Sequence, residues 1–355
     1  MTTKERVNRM HDKKEADRIP ITDKPWQGTV SRWRREGMPA GADWRDYFDV
    51  DKFEEFSIDV SPQYPRRTLE DNDEFFVVET EYGVKMKYLK GEDTTPEFLD
   101  YTISNPDKWA AAKARMNHDP SRIKWDFLNE NLPKWNHEGR WIDAVFWFGF
   151  DVTHSWMCGI ETVLIGMMEE PEWIEDMFQT MVDANIALYD RIWDSGLRFD
   201  GIFFYDDMGY KLNQFFSVDT YKKLVKPAHK KAIDWANNHS IPASLHSCGL
   251  IEPFLPDLVE MGLKTLNPIE VKAGMDPVKL KNTYGDKLTF YGGINAILWE
   301  EPNLDAISAE IEYLVPIMKK GGGYIFATDH SVPNSVSLES FKAVVALAKR
   351  VGAYY

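Results

Sequence analysis

The chain of 355 residues contains only two cysteines, Cys158 and Cys248, so a disulfide framework is excluded and both thiols are expected reduced in a cytosol. Long apolar runs are also missing: no stretch approaches the ~20 residues of a membrane span. The first twenty residues are charged and lack an apolar core, so no export signal is expected and the chain reads as cytoplasmic. Basic surplus is absent, with 42 Lys+Arg against 57 Asp+Glu and a net charge of −15. That balance disfavours nucleic acid and anionic membranes as partners. Neither a G-x-G-x-x-G nor a P-loop sequence occurs, which removes the usual nucleotide signatures. Low-complexity tracts, short repeats and a Pro/Gly/Ser linker are lacking too, and 355 residues then read as one domain.

What is present is an apolar, aromatic chain, 43% hydrophobic and 14% aromatic, enough for a large core. From about residue 140 the pattern is regular. Strands are expected at Ala144–Phe148, Ile202–Tyr205, Ala243–Leu245, Thr265–Asn267, Leu288–Gly292 and Tyr324–Ala327. Helices lie between them. One opens at Pro171, shows Trp173, Met177, Met181, Leu188 and Ile192 on one face, and closes at Gly196; another runs from a Ser337 cap to Gly352. Alternating strand and helix implies a parallel sheet, and the spacing suits a (β/α)₈ TIM barrel. The N-terminal region, 1–140, is less regular. It offers a charged helix, a short strand at residues 17–22 and, over 75–88, period-two alternation expected to form an antiparallel hairpin that decorates the barrel of 141–355.

In such a barrel the chemistry sits at the C-terminal strand ends. Those ends read Asp206-Asp207, His246-Ser247-Cys248-Gly249, Asn267 to Glu270, Ile294-Asn295 and Asp329-His330. His246 and Cys248, two apart on an extended segment, face the same way, and a nitrogen with a sulfur donor suits Zn²⁺. A third ligand would come from His330, with Asp329 and Glu270 in reserve. The alternative stays open that His246 makes a buried hydrogen bond and Cys248 fills a small apolar space. His154 and Cys158, one helical turn apart, read mainly as packing near the pocket mouth. Asp206 and Glu270 are candidate acid–base or substrate-orienting groups, with N-capping the competing role for Asp207. Trp26, Trp147 and Trp156 stand near strand ends and could line an apolar pocket; Asn267, Asn295 and Asp59 are candidates for substrate contact. Gly321-Gly322-Gly323 reads as a tight turn before a strand.

Several segments together resemble the uroporphyrinogen decarboxylase superfamily. They are Asp17-Arg18-Ile19-Pro20-Ile21, the run Gly201 to Asp207, Leu245 to Gly249, Leu266 to Glu270, Tyr284 to Asn295, and Asp329 to Pro333. The resemblance implies a (β/α)₈ barrel and one of two activities: decarboxylation of uroporphyrinogen, or methyl transfer in corrinoid-dependent systems. The decarboxylases carry arginines in an N-terminal segment that bind the porphyrinogen carboxylates; here that stretch reads Thr22 to Thr29 with no arginine. His246-x-Cys248 is similar to the zinc motif of the methyltransferase branch. Those enzymes add a second cysteine at the last strand end, where this chain has Thr328-Asp329-His330. The resemblance therefore implies a zinc-dependent methyltransferase, with Zn²⁺ on His246, Cys248 and His330. It would move a methyl group between a corrinoid on a separate partner protein and a thiol or methoxylated small molecule. Two rivals remain: a metal-free decarboxylase of a pyrrole or other small acid, using Asp206 or Asp59, and a non-catalytic tetrapyrrole-binding module. A homodimer is an expectation of the family alone.

Overall fold

The computed structural model describes residues 1–91, 95–300 and 304–354. Seven strands form one parallel sheet in the spatial order Phe53–Ser57, Trp141–Phe146, Gly201–Tyr205, Ala243–His246, Thr265–Asn267, Thr289–Tyr291, Tyr324–Ile325. Apart from Phe53–Ser57, where only Phe56 is buried, their side chains are almost entirely buried, as expected of strands covered on both faces. Residues 19–22 close the ring. Ile21 bridges in parallel to Phe326, Thr22 N–H donates to the Phe326 carbonyl (3.1 Å), and on the other side Asp51 N–H donates to the Ile21 carbonyl (2.8 Å). The result is the TIM-barrel-like architecture expected from the strand–helix alternation. Among the described residues, no helix is long and apolar enough to cross a membrane.

The helix Thr3–His11 begins with a capping box between Thr2 and Glu5. Its buried residues Val7 and Met10 pack with Trp141, Phe203, Tyr291 and Ile325, which plugs the end of the barrel opposite the strand C-termini. The long helix Pro171–Asp194 and the final helix Leu338–Gly352 cover the outside; Gly196 has φ +93° and Ser337 Oγ accepts from Ser340 N–H, as their punctuation predicts.

Several boundaries differ from expectation. The strand expected at Ala144–Phe148 runs Trp141–Phe146, because Trp147 leaves the ladder and donates its N–H to Asn185 on the neighbouring helix (3.1 Å). The last strand is shorter, Tyr324–Ile325, and continues as single bridges at Phe326 and Thr328. The strand Phe53–Ser57 was not legible, since Glu54 and Glu55 interrupt its apolar alternation. Ring segments therefore also come from the N-terminal 140 residues. The expected hairpin is the centre of a four-stranded antiparallel sheet, Arg67–Asp71, Phe75–Glu79, Val84–Leu89 and Glu97–Tyr101.

Closure depends on one buried carboxylate. The Asp51 side chain is fully buried and accepts from Arg6 Nη1 (2.9 Å), Arg18 Nη1 (2.5 Å) and Ile21 N–H (2.8 Å). Removing it strands two guanidinium groups and frees the closing segment. Asp51→Ala is therefore expected to cost about 3–5 kcal/mol, read as a lowered urea midpoint.

Candidate functional site at the strand C-termini

Parallel register sets three strand ends side by side: Tyr205 pairs with His246, and His246 pairs with Asn267. Asn267 is buried, and its amide nitrogen donates to the Tyr291 carbonyl (3.2 Å). Its amide oxygen is thereby turned toward His246 Nδ1, at 2.7 Å. An acceptor there fixes the proton on Nδ1, so the Nε2 lone pair faces the pocket. Burial lowers the imidazole pKa and favours this neutral form.

Nε2 lies 3.5 Å from Cys248 Sγ and 3.7 Å from Asp207 Oδ1. Among the described residues, Asp207, His246 and Cys248 are the only group of three or more His, Cys, Asp or Glu side chains whose ligand atoms meet closely enough to share an ion, all within 4.8 Å. Asp207 Oδ1 also accepts from Cys248 N–H (2.7 Å), which ties the two loops together. The loop after Cys248 is held by Gly249, whose N–H donates to Glu270 Oε2 (2.6 Å). Gly249 has φ +79°, and a Cβ there would meet the Gly209 backbone at 2.3 Å, so only glycine fits. Burial, with Asp207 and Glu270 nearby, pushes the Cys248 thiol well up.

The other candidates are dispersed. Asp206 is fully buried; it takes His229 Nε2 (2.7 Å) and Asp151 N–H (2.7 Å), behind the rim rather than on it. Asp151 is pushed up to about 8 by burial and by Asp207 and Asp206. His154 and Cys158 lie in a π-helical turn, Val152–Cys158, and part company: His154 is 3.4 Å from Asp151, while Cys158 Sγ packs on Met177 Sδ at 3.8 Å. His330 is exposed and lines a small pocket of about 190 Å³ with His246 and Asn267. It is not one of the three converging donors. Asp329 is buried, with Oδ1 accepting from Ala296 N–H (2.9 Å). Asn295 caps the short helix Ala296–Trp299 and donates its N–H to Glu310. The donor passed over in the sequence is Asp207, whose capping role competed there; its signal was its place at a strand end.

Beside the metal-type cluster lies a chamber of about 820 Å³. Asp59 and Trp156 line it, together with Tyr82, Trp147 and Tyr205. Trp26 does not: it is 39% exposed and opens the helix Gln27–Arg35. Tyr205 joins the two spaces, with its ring 5.1 Å from that of His246. Its hydroxyl donates to Glu55 (2.9 Å) and accepts from Lys24 Nζ (2.6 Å).

Comparison with known proteins gives the family and the fold. The sequence matches the family described as uroporphyrinogen decarboxylase (URO-D) over residues 2–351. No curated protein shows a significant match. Among solved structures, a methyltransferase from Methanosarcina mazei superposes with a TM-score of 0.67 over 99% of both chains at 15% identity, which establishes a common fold. A psychrophilic family 10 endo-β-1,4-xylanase gives only 0.38 at 9% identity, over 68% of this chain and 92% of its own.

The two thiols should differ in alkylation. Cys158 is expected to react with iodoacetamide only on unfolding. Cys248 should react slowly at pH 8 in chelator and faster as the pH rises, because little thiolate exists below its raised pKa. Asp207→Asn removes a neighbouring anion and should speed Cys248 alkylation severalfold, read by mass spectrometry of the labelled peptide.

Proposed function

The chain belongs to the uroporphyrinogen decarboxylase family, and within it we propose that this protein is a zinc-dependent methyltransferase working with a corrinoid carried by a separate protein. The observation that carries this reading is the orientation of His246. Asn267 holds its Nδ1–H, and the bare Nε2 faces Cys248 Sγ and the Asp207 carboxylate. A nitrogen, a sulfur and an oxygen donor leave a fourth position open, the arrangement of catalytic zinc, and the Asn267 contact is the outer support such a histidine ligand needs. The expected third ligand thus passes from His330 to Asp207.

Zinc at this position would supply a Lewis acid, able to hold a thiol as its thiolate or to draw electron density from an ether oxygen. The residues around it have separate tasks. Asp207 links the two ligand loops through Cys248 N–H, and Glu270 fixes the turn after Cys248 through Gly249 N–H. Tyr205 forms the wall between ligands and chamber, held by Lys24 and Glu55. His330 faces the same pocket as His246 and serves as a substrate contact. The metal-free decarboxylase is the weaker reading, because a polyanionic substrate would meet Glu55, Asp59 and Glu81 on the chamber wall without an arginine clamp.

Elemental analysis of the purified protein tests the proposal. About one zinc per chain is expected, lost in Cys248→Ser and His246→Ala and retained in His330→Ala. Asn267→Ala should weaken zinc about 10–100-fold in a chelator competition. Zinc retained by Cys248→Ser, or none after chelator-free purification, would overturn it. Loss of zinc in His330→Ala with retention in Asp207→Asn would return the third position to His330.

A further inference from the structure

We propose that the chamber beside the ligand cluster recognises a positively charged ammonium group, so that the small molecule acted on here is a cation. This rests on the methyltransferase reading for its chemistry and on the chamber itself for recognition. Four rings make a continuous wall: Tyr82 to Trp156 (centroids 6.3 Å), Trp156 to Trp147 (5.8 Å) and Trp147 to Tyr205 (6.0 Å). Adjacent rings are tilted or edge-on to one another by 53–63°, so they curve around a space instead of stacking into a slab. Ring faces carry negative quadrupole potential and attract an ammonium centre by about 0.5–2 kcal/mol each, more as water is excluded.

Charge on the same wall points the same way. Glu55, Asp59 and Glu81 line the chamber, whereas the cations nearest them do not: Lys24 holds Glu55 at 2.6 Å, Arg122 lies 3.7 Å from Asp59, and Arg66 lies 3.2 Å from Glu81. Each pair is thus a dipole with its negative end inward. Because Coulomb energy falls with distance, the inner carboxylates outweigh their partners at the chamber centre. Lys124, exposed, is the single cationic residue among the lining side chains and opposes the rest. A volume of about 820 Å³ accommodates an ammonium group together with an organic body, and the Tyr205 ring that lines the chamber lies 5.1 Å from the His246 ring.

Calorimetric titration of the purified protein with meta-hydroxyphenyltrimethylammonium and its neutral isostere meta-tert-butylphenol separates charge from shape. The cation is expected to bind at least ~10-fold more tightly. Trp156→Leu should abolish most of that preference and Trp156→Phe should keep it. At the half-buried Glu81 and the exposed Lys124, Glu81→Gln should weaken and Lys124→Gln strengthen cation binding about two- to threefold. Equal affinity for the two isosteres, absence of binding by the folded protein, or a preference unchanged in Trp156→Leu would overturn the proposal. Zinc measured on the same preparation keeps the two readings apart. Zinc present without cation preference leaves the methyltransferase and removes the cationic substrate. Cation preference in a protein that takes up no zinc keeps the recognition site and removes the methyltransferase.

Discussion

The site depends on the register of the parallel ladder. Adjacent strands fix Tyr205, His246 and Asn267 at one level, and each then does something to its neighbour. Asn267 selects the tautomer of His246, and Tyr205 packs beside the imidazole and bounds the chamber. A slip of one residue in the central strand would reverse His246 and Leu245, placing a leucine at the mouth and an imidazole in the packed outer layer. The apolar sets on both faces of these strands resist such a slip, so functional geometry and core packing are enforced by the same hydrogen bonds.

The ring that holds this register is completed by residues remote in sequence from the ligands. Asp51 collects Arg6, Arg18 and the Ile21 amide, and the segment it anchors meets the last strand at Phe326. Just beyond, the buried carboxylate of Asp23 accepts both the N–H and the hydroxyl of Thr328. Burial raises this carboxyl to about 6. The next residue, Lys24, holds Tyr205 and Glu55. The N-terminal segment is therefore part of the barrel and of the site wall.

Much of this was legible in the sequence where local physics and tertiary structure agree. Buried parallel strands are continuous apolar runs, so those ending near Tyr205, His246 and Asn267 stood out, and the Pro171 and Ser337 helix starts follow from capping chemistry. The strand Phe53–Ser57 did not, because Glu54 and Glu55 read as surface; Glu54 instead pairs with Arg45 and Arg140, and Glu55 turns into the barrel mouth. His246 and Cys248 were legible because residues two apart on extended backbone share a face, although Cys248 lies in the loop just past the strand end at His246. Asp207 was not separable from a capping aspartate, since what distinguishes it is a distance to a loop some forty residues away. The fully buried Asp206 illustrates the converse: a strand-end carboxylate looks catalytic in sequence, yet its partner His229 lies on the helix Lys226–Asn238 and occupies it.

The electrostatics of the rim favour a dication at the ligand cluster. Burial, with Asp207 and Asp206 nearby, pushes Asp151 up to about 8, and burial, with Asp207 and Glu270 nearby, holds the Cys248 thiol protonated. Left to themselves these groups oppose a thiolate. A divalent ion held by Asp207, His246 and Cys248 would reverse the sign of the local field at the sulfur and would stabilise the thiolate. The same acidic surroundings that make the bare thiol unreactive would then compensate the ion's excess charge. In the neighbouring chamber, Glu55, Asp59 and Glu81 line a second negative wall that does not include the ligand residues. A cationic body seated there and a metal-bound donor atom would be held by separate charges, so recognition of one need not compete with activation of the other.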